Sequence, residues 1–233
     1  MKDARWNGWL TIAWASLVVI VSQMLIGSAV VEYHARALGI KPDVDNLAPF
    51  ADALMQGVAL GGLVGILMIV GIVRLKKDSQ IKAYLPFSPV PLLDVLKWLA
   101  IATAVTVGSG LIFQSLGFEE SSEMSGVMNN VHSLPMMYLA VVLAAPIFEE
   151  LLCRGFVISG LERLSLPDAG AIAVALSSFL WAMLHVQYHA HEMFQVFLLG
   201  IVLGFARLKT KSLVTPIVIH VVNNVAALIA LSQ

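Results

Sequence analysis

Three short constellations in the second half of this sequence set ionisable side chains among apolar neighbours. Glu149 and Glu150 stand side by side, with Arg154 four residues after the second. Trp181 is followed after four residues by His185, and His220 after four residues by Asn224. A carboxylate with an imidazole can take a proton from water, and neutral N–H donors can stabilise the oxyanion that forms when that water attacks a carbonyl. Glu149 and His185 are the candidates for activating water, and His220 and Asn224 for holding the oxyanion. Glu150 and Arg154 share a helix face and can pair, which would fix the helix that carries Glu149. Glu149 itself points about 100° away, and four residues after it comes Cys153 rather than a cation. Glu149, His185 and His220 could equally ligate Zn²⁺.

These residues need elements to position them, and the composition says what kind. The chain has 233 residues, 59% hydrophobic and 12% charged, with a net charge of −1; its mean hydropathy is +0.87. Soluble domains carry about 25% charged residues, so an ordinary cytosolic enzyme is excluded. The near-neutral balance offers no surface for nucleic acid. The lone Cys153 excludes a disulfide framework and any CxxC metal site. The expected fold is an all-α, polytopic membrane helix bundle of about seven spans. Apolar runs long enough for a ~30 Å hydrocarbon core occupy roughly 8–31, 54–73, 95–116, 134–160, 170–187, 192–206 and 212–231. The first is too long for a signal sequence, so it is read as a retained span. Gly61, Gly62 and Gly65 mark close helix packing in the second. The Pro-rich link 83–93 reads as an interfacial segment or a loop. The link 32–53 is long enough for a short helix.

Basic residues sort the links. Lys2, Arg5, Arg74, Lys76, Lys77, Lys82, Lys97, Arg163, Arg207, Lys209 and Lys211 fall on one side of such a bundle, and Arg36 and Lys41 on the other. The positive-inside rule then puts the N-terminus in the cytoplasm. The link 117–133, with Glu119, Glu120 and Glu123, faces outward. The expected location is a bacterial inner membrane. Ionisable residues inside spans cost at least ~2.5 kcal/mol each and mark function by default. At ~1.5 Å rise per residue, Glu149, His185 and His220 could line one cavity within the membrane.

Alternative chemistries find less support. No Asp lies well inside a span, no HExxH motif is present, and Gly108-Ser109-Gly110 has the wrong spacing for a serine site. His189 follows His185 by four residues, a spacing that can bind metal, but it belongs to the outer surface. His34, His132 and His191 read as solvated link residues. Cys153 faces no identified base.

At Glu149-Glu150…Arg154, Trp181…His185 and His220…Asn224 the sequence resembles the CPBP family of CAAX proteases and bacteriocin-processing enzymes, also called the Abi or type II CAAX prenyl endopeptidase family. The three motifs read EExxxR, FxxxH with Trp181 in place of the aromatic Phe, and HxxxN. The resemblance covers about residues 134–230. It implies a catalytic core over 134–231 and accessory spans over 1–133. It also implies an integral-membrane endopeptidase in which Glu149 and His185 activate water, His220 and Asn224 bind the oxyanion, and Glu150, Arg154 and Trp181 support them. The family is commonly labelled a metalloprotease, yet these residues also suit a metal-free glutamate mechanism. Implied partners are a peptide or lipopeptide substrate and membrane lipids. Two other classes fit the same intramembrane residues: a proton-coupled transporter using a Glu149–His185 relay, and a non-catalytic bacteriocin-immunity protein.

Overall fold

The structure, a computed structural model, describes residues 6–43, 46–76, 80–118 and 122–231. Lys2, Arg5, Lys77, Glu119 and Glu120 lie outside the described residues, as does the side chain of Glu123. The described residues form seven principal helices: α1 (Gly8–Leu38), α2 (Ala48–Leu75), α3 (Leu92–Ser115), α4 (Leu134–Leu161), α5 (Ala169–Met183), α6 (Ala190–Thr210) and α7 (Val214–Leu231). There is no β-strand among the described residues. The start of α1 is capped by the side chain of Asn7, which accepts from the Leu10 N–H, and its end by Gly39 at φ +68°, the left-handed conformation glycine adopts freely.

Six of the seven helices are long and apolar enough to cross a membrane. The exception is α5. Its 15 residues extend only about 22 Å, short of a bilayer core, and it stops four residues before the expected end of the fifth span. Polarity is inverted relative to a soluble bundle. Trp9, Leu63, Leu67, Leu93, Ile112 and Phe179 are exposed, whereas Glu150, Arg154, Arg207 and His220 are buried. This is the distribution expected when hydrocarbon surrounds the protein and polar groups find partners only inside it. The chain is an integral membrane protein.

The expected glycine packing in α2 is present. A Cβ at Gly61 would lie 2.3 Å from the Ser22 carbonyl oxygen of α1. One at Gly65 would lie 2.3 Å from the ring of Phe148, the residue before Glu149. Small residues allow backbones to approach this closely where no hydrophobic effect pulls helices together. One hydrophobic core runs through residues of α1 to α7, from Ala15 to Ile219.

The basic links meet at one end. Arg163 Nη1 donates to the Trp6 carbonyl at 3.2 Å, Lys76 Nζ lies 5.0 Å over the Trp6 ring, and Arg207 donates to Glu162 at 3.1 Å and to Ser159 Oγ at 2.6 Å. The Trp6 N–H donates to the Tyr84 hydroxyl. The Pro-rich link packs here against the bundle: Tyr84 and Leu85 are buried, Tyr84 stacks on Phe156 at 5.3 Å, and the Pro86 carbonyl accepts from the Leu213 N–H at 2.8 Å. At the other end, α1 runs on to Leu38, so the link 32–53 holds a single 3₁₀ turn (Ala48–Phe50) in place of a separate helix. There Asp52 of α2 accepts from the His132 and Ser133 N–H groups at 3.0 Å each, tying the start of α4 to the start of α2.

Candidate active site

The central helix α4 carries the paired glutamates and is not uniform. Residues 138–144 and 151–157 are wound with bonds five residues apart, and Glu149 and Glu150 sit in the α-helical stretch between them (Ala145–Glu150). Such π-bulges are uncommon and gather at functional sites. Pro146 stands two residues after the end of the first and supplies no backbone N–H.

The two carboxylates have different surroundings. Glu150 is fully buried. Its Oε1 accepts from Arg154 Nη1 at 3.0 Å and is 2.9 Å from His220 Nδ1. The expected i,i+4 pair is therefore formed, and His220 joins it. Arg154, also fully buried, uses Nη2 to reach the Gly200 carbonyl of α6 at 3.1 Å. A Cβ at Gly200 would stand 3.1 Å from that same guanidinium nitrogen and 2.8 Å from Ser178 Cβ, so a larger residue would crowd the seat of Arg154. The Glu149 side chain, by contrast, is 22% exposed and lies with Oε2 3.9 Å from His220 Nε2.

Glu149 does have a partner. The Trp181 indole N–H donates to Glu149 Oε2 at 2.6 Å. The face of that indole lies 4.4 Å from the Arg154 guanidinium carbon, a cation–π contact. The rings of His185 and His220 meet it edge-on at 5.3 and 5.1 Å. Four of the seven candidate residues thus converge on Trp181. Sequence pattern read Trp181 as a bulkier aromatic; its N–H, which the motif Phe lacks, is what the pattern missed.

His185 is not on α5. The helix ends at Met183, and His185 Nδ1 bonds the Trp181 carbonyl at 2.9 Å, satisfying a helix-end acceptor. A carbonyl only accepts, so Nδ1 is the donor and Nε2 is left clear of this bond. The ring stacks on Tyr188 at 5.7 Å. Asn224 Nδ2 donates to the Val141 carbonyl of α4 at 2.9 Å. His220 and Asn224 therefore both face α4, as their spacing predicts.

The residues that could ligate a metal do not gather. Among the described residues, the three His, Cys, Asp or Glu side chains whose ligand atoms all come within 4.8 Å of one another are His189, His191 and Glu192, at the start of α6; Glu149, His185 and His220 form no such group. His220 is directed by Glu150, and His185 by the Trp181 carbonyl. Of the histidines read as solvated, His132 is exposed as expected, whereas His34 bonds Gln56 at 3.1 Å and His191 lies against Phe118 at 4.9 Å.

A helical membrane bundle with a carboxylate, two histidines and a buried ion pair at its centre defines a class: an integral membrane protein with an intramembrane polar site. Comparison with known families gives the particular one. Residues 131–226, from the start of α4 into α7, match the model of the type II CAAX prenyl endopeptidase Rce1-like family. No curated protein and no solved structure gives a significant match to the chain.

Proposed function

We propose that this protein is an intramembrane endopeptidase that hydrolyses peptide bonds of membrane-associated substrates, lipidated peptides among them, with water activated between Glu149 and His185. The observation that carries the reading is the division of labour between adjacent carboxylates. Glu150 is sealed into an ion-pair network, while Glu149 is held in place by the Trp181 N–H and keeps 22% of its side-chain surface uncovered by protein.

Glu149 takes a proton from water as the oxygen attacks the scissile carbonyl. His185, with its Nε2 clear of the Trp181 carbonyl, holds the same water or receives its proton. The oxyanion is met by the Asn224 amide and by His220, whose Nδ1–H is anchored on Glu150 and whose Nε2 faces the site. An Nε2 proton makes His220 an imidazolium, which the Glu150 carboxylate stabilises. The proton on Glu149 then passes to the leaving amine, which restores the site. Arg154 and Trp181 orient these groups without touching substrate. We place the protein in a bacterial plasma membrane, with the N-terminus and the basic end that contains Trp6, Arg163 and Arg207 in the cytoplasm.

The test is cleavage by the purified protein of a farnesylated C-terminal peptide and its unlipidated counterpart, followed by mass spectrometry. Release of a C-terminal fragment by wild type, lost in Glu149→Gln and His185→Ala, is expected. Equal cleavage by both variants overturns the reading, as does proton flux in liposomes without any cleavage.

A further inference from the structure

The Asn224–Val141 contact has a cause three residues before Glu149. Along 138–144 the hydrogen bonds reach back five residues, and the Ala145 N–H goes to the Ala140 carbonyl. Next in that series, the Val141 carbonyl would accept from position 146. That position is Pro146, which has no N–H to give. The α-helical alternative, the N–H of Ala145, is already committed to Ala140. Val141 is left with an orphan acceptor at membrane depth, where an unpaired carbonyl is costly. Asn224 Nδ2 fills the vacancy at 2.9 Å.

We infer that Pro146 is a positioning residue: by withholding one backbone donor it creates the acceptor on α4 that Asn224 grips, and so fixes the Asn224 amide against the helix that carries Glu149. An amide nitrogen has two hydrogens. Binding one to Val141 sets the plane of the group and aims the other. Together with the bond from His220 to Glu150, this gives α7 two tethers to α4, one at each polar residue of its motif. Pro146 is buried and touches no reacting atom. The inference rests on the proteolytic reading for its kinetic consequence, while its structural core stands apart from it.

A double-mutant cycle tests both. Wild type, Pro146→Ala, Asn224→Ala and the double variant are compared in detergent by thermal unfolding, and by kcat and KM on the peptide that wild type cleaves. Asn224→Ala is expected to lower Tm clearly when Pro146 is present and to have little effect in the Pro146→Ala background, where the backbone regains the missing N–H. Pro146→Ala is expected to lower kcat about tenfold with KM within twofold, because the released amide loses its aim. An equal Tm loss from Asn224→Ala in both backgrounds overturns the inference, as does wild-type kcat in Pro146→Ala. If Pro146→Ala does not fold, Pro146→Leu restores the same N–H, and failure of both also overturns it. If wild type cleaves nothing, the proteolytic reading fails, and the Tm cycle still decides whether Pro146 and Asn224 are coupled.

Discussion

The Trp181 indole N–H donates to Glu149 Oε2 at 2.6 Å, while the face of the same ring rests 4.4 Å from the Arg154 guanidinium. One side chain thus separates a partly exposed carboxylate from a sealed cation and orients both. Trp181→Phe keeps the ring face and most of the packing and removes only the donor. A hydrogen bond to a charged group contributes about 1.5–3 kcal/mol, so kcat/KM should fall roughly 10- to 100-fold while the unfolding temperature changes little. Steady-state kinetics and thermal unfolding of the same preparation check this; an unchanged kcat/KM would show that the donor is dispensable.

The adjacent glutamates should respond oppositely to the same isosteric change. Glu149→Gln removes a base in a half-open position and should cost about 10²–10⁴-fold in rate with the fold intact. Glu150→Gln leaves the buried Arg154 without its carboxylate and His220 without its anchor. Breaking a buried pair typically costs about 3–5 kcal/mol, so that variant should unfold at much lower temperature or fail to accumulate. Differential scanning fluorimetry beside the cleavage assay separates the two.

Tyr188, in the turn between α5 and α6, has its phenol pushed above its ordinary value by burial first, and then by the negative charges of Glu192 and Glu149. The native state therefore holds this proton longer than the unfolded chain does. Stability is unaffected below the unfolded value of about 10 and declines as pH rises from there through the native value. Tyr188→Phe should flatten the alkaline limb of a stability profile recorded from about pH 8 to 11, and an identical limb in both proteins would contradict this.

Chelation should leave cleavage intact, since Glu149, His185 and His220 do not come together as a ligand set. Any zinc that co-purifies should be lost from His189→Ala and His191→Ala, because the described residues that do converge are His189, His191 and Glu192. Metal analysis of the purified variants, paired with activity before and after a chelator, distinguishes a surface ion from a participating one.

Much of this arrangement could be read from residue type and spacing. Glu150 with Arg154, and His220 with Asn224, obey the helix period, so a one-dimensional pattern placed each pair on a common face, and the structure has them there. The glycines of α2 were equally legible. The end of α5 was not. Residues 184–187 contain no Gly or Pro to mark it, and the Trp181 carbonyl at the helix end takes both the Leu184 N–H and the His185 side chain. Nor could spacing show that Glu149 meets an indole N–H from 32 residues away. The irregular winding of α4 lay between these cases. Pro146 advertised a missing donor, but which carbonyl it would orphan depended on the five-residue bonding already in force before it.

The ring of Phe148 sits in the space left by the absent side chain of Gly65, and the next residue along the chain is Glu149. Rotation of α4 about its axis is therefore stopped by a steric key in the half of the protein that carries none of the three motifs. Position 65 is consequently a place where a loss-of-function allele can arise without altering a single polar atom. A suppressor of such an allele should be sought at 148, as a smaller residue, rather than among the glutamates and histidines themselves.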